Sequence, residues 1–109
     1  MSLSTHVLDL ARGAPAAGIE VTLVALGSTP RELARATTDA DGRVGKPFGG
    51  ELAPGTYELR FFVRAYFEKQ GTPSWHDEVP VRFTIADAAQ HHHVPLLLSP
   101  FGYSTYRGS

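Results

Sequence analysis

Apolar residues in this chain recur at every second position, in runs so short that extended strands are the only regular structure they suit. Ile19, Val21, Leu23 and Ala25 alternate with Glu20, Thr22, Val24 and Leu26. A two-residue period sends each set to its own face of a strand. The same pattern returns from Thr56 to Phe62, where Tyr57, Leu59 and Phe61 face one way. It returns again where Val79, Val81, Phe83 and Ile85 alternate with Pro80, Arg82 and Thr84. Arg31 to Thr38 is a weaker strand, because Leu33 and Ala34 carry little β-preference. Asp39-Ala40-Asp41-Gly42 and Ala53-Pro54-Gly55 between these runs are turn chemistry. Eleven glycines and eight prolines in 109 residues spread such turns along the chain, which predicts a β-sandwich.

One segment departs from the pattern. Val63 to Gln70 contains Ala65, Phe67, Glu68 and Lys69 and ends at Gly71. That composition predicts one short α-helix over 63–70, closed by its glycine. The expected fold is therefore all-β, two sheets and a single helix, in one domain spanning 1–109. In the run His93 to Ser99, Val94, Leu96 and Leu98 share one face while Pro95, Leu97 and Ser99 share the other. Both faces are largely apolar, and a two-layer sandwich buries only one of them. A second subunit is the expected cover for the other, with a neighbouring loop as the alternative.

Composition excludes several classes of function. There is no cysteine, so disulfides and thiolate chemistry are ruled out. The formal charge is −1 with both signs interspersed, which leaves no polybasic footprint for nucleic acid or a membrane surface. No apolar stretch is long enough to span a bilayer. Met1 to His6 lacks the basic and apolar regions of a leader, so a cytoplasmic location is the expectation.

The segments Gly18-Ile19-Glu20-Val21, Thr38-Asp39-Ala40-Asp41-Gly42-Arg43 and Leu52-Ala53-Pro54-Gly55-Thr56-Tyr57 resemble many transthyretin-like (prealbumin-like) sandwiches. Carboxypeptidase regulatory domains and adhesin repeats share that look, so these segments speak for a fold with Greek-key features more than for a function. The two ends are more specific. Thr5-His6-Val7-Leu8-Asp9 resembles the opening strand of 5-hydroxyisourate hydrolases. His93-Val94-Pro95-Leu96-Leu97-Leu98-Ser99-Pro100, with Gly102-Tyr103-Ser104-Thr105-Tyr106-Arg107-Gly108-Ser109, resembles their last two strands. The ending Tyr106-Arg107-Gly108-Ser109 separates that enzyme family from the hormone carrier transthyretin.

The resemblance implies hydrolysis of 5-hydroxyisourate to 2-oxo-4-hydroxy-4-carboxy-5-ureidoimidazoline, a step of urate breakdown, without a cofactor. It implies His6, Arg43, His93 and Ser109 as catalytic residues, and His6, Arg43, Tyr106, Arg107 and Gly108 as substrate contacts. It also implies a homotetramer, a dimer of dimers, with sites at the subunit interface. At His92 the family more usually has an aromatic residue, a departure without consequence if that side chain points away from the site.

The residue types suit the chemistry. Amide hydrolysis needs an activated water, a stabilised oxyanion and a proton for the leaving nitrogen. A histidine exchanges protons near neutral pH, and an arginine stays charged and offers a rigid donor fork. No Gly-x-Ser-x-Gly elbow is present, so direct water attack fits better than a covalent intermediate. Which of His6 and His93 is the base is left open. Each residue also has a duller role: a strand histidine is usually structural, and an arginine beside a turn is usually solvated. Of His91, His92 and His93 only the first and third share a strand face, so zinc held by His6, His91 and His93 remains an alternative. His76, in Trp75-His76-Asp77, reads as loop surface with no role. Competing functions are a small-ligand carrier, which predicts apolar or small residues at His6, Arg43 and His93, and a non-catalytic β-sandwich binding module, which predicts flanking linkers.

Overall fold

The computed structural model describes residues 3–45 and 48–109; Met1 and Ser2, part of the stretch read for a leader, lie outside them. The alternating runs form strands as their period requires. In chain order these are β1 (Leu3–Asp9), β2 (Ala14–Pro15), β3 (Glu20–Leu26), β4 (Pro30–Thr37), β5 (Gly55–Phe61), α1 (Val63–Lys69), β6 (Val79–Ile85), β7 (His92–Ser99) and β8 (Gly102–Thr105). They make two four-stranded sheets, one ordered β2-β1-β7-β8 and the other β4-β3-β5-β6. The chain passes from the first sheet to the second after β2 and returns after β6, so its last strands pair with its first, the Greek-key feature.

The core lies between the sheets. Leu3, Val7, Leu96 and Leu98 from the first sheet meet Val21, Leu23, Leu59, Phe61 and Val79 from the second, all fully buried. Removing one such side chain, as in Leu96→Ala, costs about 2–5 kcal/mol. The helix has no side-chain N-cap and no acidic residue in its first turn, so packing of Val63, Tyr66 and Phe67 holds it. Tyr66 Oη also donates to the buried Asp9 Oδ2 at 2.6 Å, tying α1 to the end of β1. The Gly71 N–H bonds back to Glu68 O at 3.0 Å and closes the helix where the sequence places its end. Among the described residues no helix is long and apolar enough to cross a membrane. The Trp75–His76 loop docks on the β7–β8 turn, through Trp75 N–H to Pro100 O at 2.8 Å and an edge contact of His76 with Tyr103.

Two pairings position the functional residues. β1 and β7 run parallel, with Ser4 opposite His93 and His6 opposite Pro95. Partners in register point to the same face, so Ser4, His6, His91, His93, Pro95 and Leu97 all project from the outer face of the first sheet. On the other edge of β1, the turn after β4 brings Arg43 into a bridge with His6. Asp39 Oδ1 accepts from the N–H groups of Asp41 and Arg43, at 2.9 and 3.0 Å, and fixes that turn. Gly42 takes φ +75° and its carbonyl accepts from Val7 N–H at 2.8 Å. A Cβ at Gly42 would run into the Val7 carbonyl oxygen, so the approach of this turn to β1 requires glycine.

Candidate active site

Two rows of residues cross the outer face of the first sheet. Arg43, His6 and Pro95 form one row; Ser4, His93 and Gly108 form the next, because the tail beyond β8 bridges back to His93. The bridge is held by Gly108 N–H to His93 O at 2.8 Å. A cavity of about 340 Å³ opens on this face, lined by Ser4, Arg43, His91, His93, Tyr106, Gly108 and Ser109. Among the described residues no acidic side chain lines it, and Arg43 brings a permanent positive charge.

His93 is only partly exposed and is fixed from two sides. Its Nδ1 lies 2.8 Å from Ser4 Oγ, and Ser4 itself is buried. On the opposite side its ring rests on Gly108. A Cβ there would collide with His93 Cδ2 and stand 3.1 Å from Cγ and 3.2 Å from Pro95 Cγ. The glycine of the terminal motif is therefore the floor under the imidazole, a close approach that no side chain permits. Burial holds the His93 pKa below its ordinary value, and the positive charge of Arg43 and the neighbouring His91 and His6 push it the same way. A backbone hydrogen bond to Ser4 works against them, and the net direction stays downward. His93 is thus unprotonated at neutral pH and able to accept a proton.

The structure gathers Arg43, His93, Tyr106, Gly108 and Ser109 around one cavity and sets His6 in the adjoining row, between Arg43 and Pro95. Arg107 is different. Its Nη2 donates to Gln90 Oε1 at 3.1 Å, and it lines a second cleft, of about 320 Å³, on the far side of β7. His92 also points there, buried among Val81, Phe83 and Val94, so its departure from the family pattern falls away from the site. His91 and His93 do share a face, with ring centroids 6.4 Å apart and near-parallel planes. Ser4 Oγ sits between them, 3.0 Å from His91 Nε2. Among the described residues no group of three histidine, cysteine or acidic side chains is placed to hold a metal.

Ser4 is the residue that sequence reasoning missed. The signal was available: it stands two positions before His6, so any strand that aims His6 at a site aims Ser4 there too.

These observations define a class: a transthyretin-fold sandwich with a histidine–arginine site on the outer face of one sheet. The chain belongs to the HIUase/Transthyretin family, whose model matches residues 3–108. It is 52% identical to 5-hydroxyisourate hydrolase 2 of Rhizobium meliloti, over 98% of this chain and 95% of that protein. The solved 5-hydroxyisourate hydrolase of Klebsiella pneumoniae matches with a TM-score of 0.89 at 38% identity, covering all of both chains. Sea bream transthyretin, solved in complex with thyroxine, matches with a TM-score of 0.93 at 27% identity, over 99% of this chain and 95% of the other.

Proposed function

We infer that this protein hydrolyses 5-hydroxyisourate to 2-oxo-4-hydroxy-4-carboxy-5-ureidoimidazoline. The observation that carries the reading is the histidine–arginine cavity itself. It joins an unprotonated histidine, an arginine carried on a turn whose backbone is fixed, and the end of the Tyr106–Ser109 tail, in a chain half identical to a curated hydrolase of that substrate. A carrier of apolar hormone would need apolar or small side chains where Arg43 and His93 stand.

The proposed chemistry is water attack on a ring amide. Water adds to the carbonyl carbon as its proton passes to His93 Nε2, and the carbonyl electrons move onto oxygen. Arg43, exposed at the cavity, donates to that oxyanion with a charge it keeps at any working pH. The C–N bond then breaks, and the proton reaches the leaving nitrogen with His6 as the relay. The carboxylic acid so formed gives its remaining proton to solvent, and the product is the open-chain carboxylate. Tyr106, Gly108 and Ser109 hold the ring in place. Arg107, turned to Gln90, orders the tail rather than touching substrate.

The same reading includes a homotetramer, built as a dimer of dimers with its sites at a subunit interface. It is supported by the half-buried Leu8 and Leu97, which share the outer face with the site. Light scattering of the purified protein tests this directly, and a monomer at working concentration would count against it. Activity is tested by generating 5-hydroxyisourate from urate with urate oxidase and following its ultraviolet absorbance. Decay well above the spontaneous rate is expected; an unchanged rate sinks the hydrolase reading. Full activity after strong chelation is also expected, and loss of activity would revive zinc at His6, His91 and His93.

A further inference from the structure

Ser4 and His91 have no part in the mechanism above, although both line the cavity and contact the proposed base. Ser4 Oγ lies 2.8 Å from His93 Nδ1 and 3.0 Å from His91 Nε2. A serine hydroxyl has one proton and two lone pairs, so it can donate to only one of two ring nitrogens. The other ring must then donate to it. With the Ser4 proton spent between them, the two histidines take opposite roles toward a single buried oxygen.

When Ser4 gives its proton to one of the two rings, two neutral arrangements satisfy all three groups. In the first, Ser4 donates to His93 Nδ1 and accepts from His91 Nε2–H. The His93 proton then sits on Nε2, and the ring cannot act as a base there. In the second, Ser4 donates to His91 Nε2 and accepts from His93 Nδ1–H. Nε2 of His93 is then a free lone pair. When it takes a proton from water, Nδ1 still donates to Ser4 and nothing has to turn. The second arrangement therefore serves both the resting base and the imidazolium it becomes. The surroundings favour it as well. Arg43 raises the local positive potential and, among the described residues, no acidic side chain lines the cavity, so a lone pair is better placed on the cavity side than an N–H.

We propose that Ser4 and His91 are a positioning pair that holds His93 as the Nδ1–H tautomer, leaving Nε2 free to take the proton of the attacking water. Ser4 is the hinge of the pair: it is 4% exposed, sits on the parallel partner strand and is aligned by register with the residue it serves. His91 supplies the acceptor that turns the Ser4 proton away from His93. Neither residue touches the reacting atoms. The kinetic consequence rests on the hydrolase reading; the tautomer does not.

The test is the nitrogen NMR signature of His93 in the full-length protein, measured without substrate in wild type, Ser4→Ala and His91→Phe. Wild type is expected to carry the His93 proton on Nδ1, and both variants are expected to move it toward Nε2. In turnover, Ser4→Ala should lower kcat roughly tenfold or more, part of the 10²–10⁴ that general-base catalysis supplies, with KM little changed. Ser4→Thr keeps the hydroxyl and should restore much of the loss. His91→Phe keeps a flat ring and carries the same prediction should Ser4→Ala fail to fold. A wild-type His93 protonated on Nε2, a tautomer unmoved in both variants, or a loss confined to KM overturns the assignment. A wild-type protein inert toward 5-hydroxyisourate would sink the hydrolase reading, while the tautomer measurement would still decide the role of Ser4.

Discussion

The two sheets share a core but finish their outer faces in opposite ways. The β4-β3-β5-β6 sheet covers its outer face with paired charge. Arg35 bridges Glu20 and Glu32, both at 2.9 Å, and Glu58 takes Arg60 at 2.7 Å and Arg82 at 3.3 Å. Beneath that ladder Thr22 and Val24 are buried although they point outward. On the β2-β1-β7-β8 sheet the same face carries Ser4, His6, Leu8, His93, Pro95 and Leu97, with Arg43 at its edge. Among the described residues no carboxylate side chain answers the arginine across the cavity. One face is closed by its own ion pairs; the other carries histidines, an arginine and apolar side chains, which suits the electron-rich ring of the proposed substrate. The difference teaches where function lies: a charge whose partner is built in serves the fold, and one without serves a ligand.

The widest separation between the faces is expected from their central residues. His93→Asn and Arg43→Ala should each lower kcat/KM by about 10²–10⁴, the range removed with a general base or an oxyanion donor. Melting temperatures should barely move. Turnover with 5-hydroxyisourate beside thermal unfolding checks this, and either variant retaining full activity removes that residue from the mechanism.

Gly108→Ala should come next. The added methyl meets His93 Cδ2 and crowds Pro95, so the imidazole must leave its place over the tail. A misplacement of about 1 Å can cost about 10²-fold in rate, and roughly that loss is expected with the fold intact. A crystal structure of the variant with the His93 ring unmoved would contradict the floor assigned to Gly108. The role of this glycine was only half legible. The terminal motif marked it as a substrate contact, but a β-bridge back to His93 is a long-range pairing with no local signature.

The same holds for much of the site. The period-2 runs, the helix, its closure at Gly71 and the doubly apolar β7 could all be read locally, because each depends on neighbours within a few residues. The parallel pairing of β1 with β7 could not, since it joins residues some ninety positions apart and no composition encodes a partner. β2, with two residues, is too short to have a period. Arg43 reads as a solvated turn residue and is exposed in the fold; what stays hidden is that Asp39 and Gly42 fold its turn against Val7 and bring it beside His6. Arg107 was expected to contact substrate, yet the bridge at Gly108 sets its parity and turns it to the other face.

A smaller effect is expected from pH. The folded-state pKa of His93 lies below its ordinary value of about 6.5, so the base stays unprotonated somewhat further into acid. The acid limb of kcat/KM should therefore have its midpoint below about 6.5. The same shift bears on stability. Above the unfolded pKa neither state binds the proton and stability is unaffected. Below it the unfolded chain binds the proton first, so stability falls as pH drops from about 6.5 through the folded pKa. Titrating His93 by NMR checks the direction, and a midpoint above the ordinary value contradicts it.

The smallest effect should come from the closed face, where stability again falls with pH but in the carboxylate range. Glu58→Gln removes a carboxylate whose pKa is held down chiefly by the Arg60 hydrogen bond, with Arg82 adding and burial opposing. The carboxylate is 9% exposed, but Arg60 and Arg82 are 34% and 68% exposed, so solvent screens much of the attraction. A loss of about 1 kcal/mol is expected, the upper end for exposed pairs. Because the folded pKa is depressed, this stabilisation is present above the unfolded carboxylate value and disappears as pH falls through the folded one. Urea unfolding of the variant should thus differ from wild type at pH 7 and converge with it in acid. Hydrolysis should be unaffected at either pH, since Glu58 sits on the opposite outer face from Arg43 and His93. A change in kcat/KM comparable to that of Gly108→Ala would mean that the two faces are coupled through the core, and the division of labour drawn between them would fail.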